Sequence, residues 1–110
     1  MKKNVVNVLG TEYEIRCDME IGKDLLFTGS DGECDLYEKV INIVDKDQIK
    51  DGREEAKIKA WNNIMRHELM HAFFTEAGLD CYVQDEKLVD FIAIQFPKMK
   101  ALFEEVGCDD

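Results

Sequence analysis

A chain of 110 residues, 45% hydrophobic and 35% charged, has the size and composition of one folded domain, 1–110, and lacks the polar bias of a disordered segment. Its formal net charge of −10 repels phosphate backbones, which argues against direct nucleic-acid binding and favours a cationic partner or a metal ion. No apolar run approaches the roughly 20 residues needed to cross a bilayer.

The N-terminal Met1-Lys2-Lys3-Asn4 leads into Val5-Val6-Asn7-Val8-Leu9. That stretch is too short for a signal sequence and has no small-residue cleavage site, so a cytoplasmic protein without membrane contact is expected. In that compartment Cys17, Cys34, Cys81 and Cys108, none of them in a CxxC pair, are expected as free thiols.

The first half reads as strands. Val6 and Val8 alternate with Asn7, Gly10-Thr11 makes a turn, and Tyr13, Ile15 and Cys17 alternate with polar neighbours. Period-two patterning on both sides of a short turn predicts a hairpin. Gly22, Gly29 and Ser30-Asp31-Gly32 are turn signals around Leu25-Leu26-Phe27, a candidate short buried element. Cys34-Asp35-Leu36-Tyr37 and Val40-Ile41-Asn42-Ile43-Val44 are two further strands, the second almost wholly β-branched or apolar.

From about Arg53 the period changes. Ile58, Trp61, Met65, Leu69 and Ala72 recur three or four residues apart, predicting an amphipathic helix to about Ala77. Glu54 and Glu55 suit its first turn, where the helix dipole favours acids, and Gly78 is a natural stop. A loop over 79–84 follows. Asp85 is the expected N-cap of a second helix carrying Leu88, Val89, Ile92 and Phe96. Pro97 is expected to break or kink it, with a last helical segment running to Gly107. Strands first and helices afterwards predict an α+β domain.

The only two histidines, His67 and His71, flank Glu68 in His67-Glu68-Leu69-Met70-His71. Inside a helix, residues four apart share a face, with Cβ atoms about 6 Å from one another. Two imidazoles so placed can reach one tetrahedral zinc ion, and the adjacent Glu68 can take a proton from a water that the metal acidifies. A third protein ligand is needed, and no histidine remains to supply it. Glu86 and Asp90, four apart on the second helix, are the candidates if the helices pair antiparallel. Glu76 and Cys81 are weaker ones.

The run HExxH, followed by Glu86-x-x-Val89-Asp90-x-Ile92-Ala93, resembles the gluzincin pattern HExxH…ExxxD. In outline it is similar to the small phage and mobile-element metallopeptidases of the ImmA/IrrE-like group. The resemblance covers residues 60–96; Val89-Asp90 replaces the group's Ala-Asn pair, and no DNA-binding domain is appended. It implies a zincin-like fold, with a twisted sheet, an active-site helix and a second helix behind it. It further implies zinc on His67, His71 and Glu86, with Asp90 orienting a ligand histidine. The implied function is hydrolysis of a peptide or protein substrate with Glu68 as general base. The alternative is a zinc-containing, catalytically weak or inactive binding or regulatory protein of phage or mobile-element origin.

In such folds an edge strand just before the active-site helix pairs with extended substrate. The resemblance gives that role to residues 37–44, although so apolar a strand also suits the buried centre of a sheet. An oxyanion stabiliser is expected too, with Tyr37, Tyr82 and Arg66 as candidates.

Overall fold

The hydrophobic pattern resolves into an α+β architecture in the computed structural model, which describes residues 3–20, 31–50 and 52–110. The elements are β1 (Lys3–Val8), β2 (Thr11–Met19), β3 (Gly32–Asp35), β4 (Val40–Val44), a 3₁₀ turn (Lys46–Gln48), α1 (Glu54–Glu76), α2 (Asp80–Val83) and α3 (Glu86–Val106). The expectations placed on Gly22, Gly29, Ser30 and Leu25-Leu26-Phe27 lie outside the described residues.

β1 and β2 form the expected antiparallel hairpin, with Val8 opposite Thr11. Its two-residue turn needs positive φ at both positions, which Leu9 (49°) and Gly10 (98°) adopt. The Asn7 side chain accepts the Gly10 N–H.

The sheet order is β1-β2-β4-β3. β4 pairs parallel with β2 and antiparallel with β3. This corrects the expectation that residues 37–44 form an edge: β4 is internal, and the described edge next to it is β3. The reason lies in the side chains. Ile41, Ile43 and Val44 are wholly buried, and a strand that apolar is stable only with neighbours on both sides. Residues 36–39 form the turn between β3 and β4.

One sheet face carries Tyr13, Ile15, Ile41 and Ile43 into the core, where Trp61, Ile64, Met65, Leu69 and Ala72 of α1 meet them. Each large aliphatic side chain buried there contributes roughly 1.5–3 kcal/mol. Two polar anchors set how α1 lies on the sheet. The Trp61 Nε1–H donates to the Val44 carbonyl at 2.9 Å. At the other end, Thr11 and Tyr13 hydroxyls each donate to Glu76 at 2.6 Å, and Lys39 Nζ donates to it at 2.8 Å.

α1 stops as expected, with Gly78 in the left-handed region at φ 76°. The expected loop over 79–84 instead contains the single helical turn α2, started when Tyr82 N–H bonds the Leu79 carbonyl. Asp85 caps α3, its carboxylate accepting the Leu88 N–H at 3.0 Å. α3 then continues through Pro97 to Val106, which corrects the expected break. Proline removes the N–H that would bond the Ala93 carbonyl one turn back. Here Arg66 Nε supplies that donor at 2.7 Å.

Candidate metal centre

α1 presents His67 and His71 on one face, and α3 approaches so that its first turn lies over them. His67 Nε2 and His71 Nε2 are 3.2 Å apart. The Glu86 carboxylate faces both, with Oε2 3.0 Å from His67 Nε2 and Oε1 3.0 Å from His71 Nε2. Each of the three offers one ligand atom within 4.8 Å of the others.

The opposite ring nitrogens are engaged elsewhere. His71 Nδ1 lies 2.6 Å from the Val83 carbonyl, an acceptor only, so it carries a hydrogen and donates. His67 Nδ1 lies 2.7 Å from Asp90 Oδ1. Engaging Nδ1 in this way turns the Nε2 of each ring inward, the nitrogen whose lone pair is the one left for a metal when Nδ1 carries the hydrogen.

Two lone pairs and a carboxylate therefore converge on one point. Without a cation or added protons that arrangement is repulsive. Zinc bonds of about 2.0–2.1 Å in tetrahedral geometry put neighbouring ligand atoms about 3.3 Å apart, and the observed separations are 3.0–3.2 Å. The three residues could hold a small metal ion. Asp90, the other candidate for third ligand, holds the outer nitrogen of His67 instead.

Glu68 is buried beside the histidines, in a cleft of about 400 Å³ that Gly32, Asn63 and Ile64 also line. Burial pushes its carboxyl above the ordinary carboxylate range; His67 and His71 oppose the shift, while Glu86 and Glu33 reinforce it. Any side chain at Gly32 would crowd this wall. A Cβ there would stand 3.0 Å from Glu68 Cγ and 3.1 Å from Ile64 Cγ2.

The other expected residues lie elsewhere. Glu76 is consumed by Lys39, Thr11 and Tyr13, which hold its carboxyl down at about 2. Cys81 is exposed and outside the cluster. Among the oxyanion candidates, Tyr37 is 90% exposed, Tyr82 packs beside Phe74, and Arg66 is bound to Ala93. None of the three lines the cleft.

Sequence reasoning missed Val83, Gly32 and Asn63. No side-chain pattern marks a carbonyl such as that of Val83, and Gly32 read as a turn signal. Asn63 was findable, since it stands four residues before His67 on the same helix face. Its buried Oδ1 has no hydrogen-bond partner among the described residues.

The cysteines are free, Cys17 and Cys34 half-buried and Cys81 and Cys108 exposed. Among the described residues, no helix is long and apolar enough to cross a membrane. Comparison of the chain with family models, curated proteins and solved structures finds no match.

Proposed function

We propose that this protein is a zinc-dependent peptidase of the gluzincin type, with His67, His71 and Glu86 holding the metal and Glu68 acting as general base. The observation that carries the reading is the convergence of both Nε2 atoms and the Glu86 carboxylate within 3.0–3.2 Å, beside a buried carboxylate that is no part of the cluster.

Bound there, zinc supplies a Lewis acid that polarises a carbonyl and acidifies a water. The chain's own residues do the rest. Asp90 and the Val83 carbonyl hold the two imidazoles in the tautomer that ligation requires. Glu68 accepts a proton on its carboxylate and returns it to the leaving amine. Burial raises its affinity for a proton, the direction that favours a general base.

A second reading, a zinc-containing binding or regulatory protein with little turnover, draws on one observation: no tyrosine, arginine or third histidine lines the cleft among the described residues. Elemental analysis and a peptide-library digest separate the two. The peptidase reading expects one zinc per chain in both wild type and Glu68→Gln, with hydrolysis only in the wild type. Equal inertness with zinc in place supports the binding protein. No zinc after reconstitution removes both.

A further inference from the structure

α3 does two different things along its length. Its first half packs on α1 through Val89 and Ala93, both buried. Beyond Pro97 the same face carries Lys100 and Glu104, so it has nothing apolar to lay against α1. A separate apolar stripe continues instead. Ile92, Phe96, Met99, Phe103 and Val106 recur at alternating spacings of four and three residues, the seam periodicity of paired helices. Its distal part is uncovered: Phe96 is 47% exposed, Phe103 44% and Val106 70%, with Leu102 alongside at 55%. The proximal end opens into an apolar groove of about 160 Å³ lined by Leu69, Met70, Ile92 and Phe96.

We propose that this stripe docks against the same stripe of a second copy of the chain, with the two α3 helices antiparallel and the twofold axis between Ala101 and Leu102. Charge identifies the partner. The protein as a whole carries −10, which opposes self-association, yet Lys98, Lys100, Glu104 and Glu105 leave residues 97–107 neutral. On each flank of the stripe a lysine precedes a glutamate: Lys100 then Glu104 on one side, Lys98 then Glu105 on the other. An antiparallel pairing sets Lys98 opposite Glu105 and Lys100 opposite Glu104 of the second copy. The same axis sets Phe96 opposite Val106 and Met99 opposite Phe103. A parallel pairing would stack lysine on lysine and glutamate on glutamate.

The area agrees. Half-exposed aromatic and aliphatic side chains at roughly 70–100 Å² each expose on the order of 500 Å² per chain, so pairing would bury on the order of 1,000 Å² in total, enough for a specific but concentration-dependent dimer.

Sedimentation equilibrium of the full chain over a concentration series tests this. Wild type is expected to move from one chain to two, and Phe103→Glu to remain one. Lys98→Glu with Lys100→Glu makes both flanks acidic, and Glu104→Lys with Glu105→Lys makes both basic. Each of these variants is expected to be monomeric alone and to form a two-chain species when they are mixed. All the altered residues are exposed, and unchanged helical circular dichroism verifies that each variant folds. A wild type monomeric at every concentration overturns the proposal, as does a dimer indifferent to these substitutions. A monomer that instead binds phosphatidylcholine vesicles through Phe103 also overturns it, in favour of a lipid surface.

Discussion

Arg66 and Pro97 should be energetically coupled although neither touches the candidate metal centre. Arg66 donates to the Ala93 carbonyl at 2.7 Å, the carbonyl that Pro97 deprives of its helical partner. Replacing Arg66 by Met keeps much of the packing and removes a charge-assisted hydrogen bond, a loss of about 1.5–3 kcal/mol. Pro97→Ala restores an N–H to that carbonyl. In the Pro97→Ala background the same Arg66→Met change should cost less than about 0.5 kcal/mol, a coupling of about 1 kcal/mol or more. Urea unfolding of the four proteins in the cycle measures it, at one fixed protein concentration because self-association would shift apparent stability. Zinc affinity read on the same set should fall in Arg66→Met, because α3 brings Glu86 and Asp90 to the histidines. Additivity of the two substitutions within about 0.5 kcal/mol would refute the compensation.

Asp90→Ala should weaken zinc binding about 10–100-fold without abolishing it, since Asp90 orients His67 from the outer ring nitrogen, and Glu86→Ala should weaken it further; competition titration with a chelator ranks them. If Glu68 is the general base, Gly32→Ala should lower hydrolysis while leaving zinc stoichiometry intact, because its Cβ would stand 3.0 Å from Glu68 Cγ and the carboxylate would have to give by a few tenths of an ångström; the loss in rate should be well short of the roughly 100-fold that a full 1 Å misplacement costs, and an unchanged kcat would argue against that placement of the base. Glu76 is held at about 2, below its ordinary 4.5, by bonds from Lys39, Thr11 and Tyr13. A carboxyl depressed on folding stabilises above its unfolded pKa and loses that stabilisation as pH falls through the folded one. The melting temperature should therefore decline between pH 4.5 and 2, and Glu76→Gln should flatten that decline; an equally steep slope in the variant would remove Glu76 as a contributor.

Features that depend on near neighbours in the chain are legible in the residues themselves. Helical periodicity alone puts His67 and His71 on one face with Glu68 beside them, and it places both long helices to within a residue or two at their outer ends. Local chemistry marks the Asp85 cap and the stop at Gly78. The hairpin follows from alternation around Gly10.

Matters of approach between distant segments are not legible there. Glu86 and Asp90 carry the same charge on the same helix face. Only the height at which α3 crosses α1 gives Glu86 to the inner nitrogens and Asp90 to the outer one. The position of β4 inside the sheet depends on where β3 returns, and strand order leaves no trace in a strand's own residues. Pro97 reads as a helix breaker until an arginine 31 positions earlier in the chain is found on its orphaned carbonyl. The last turn of α1 looks like a place for a spare ligand, Glu76, and folding spends that carboxylate on the sheet. Backbone periodicity is a property of a few consecutive residues, whereas ligation, strand order and hydrogen-bond rescue are set by which surfaces the collapsed core brings within about 3 Å of each other.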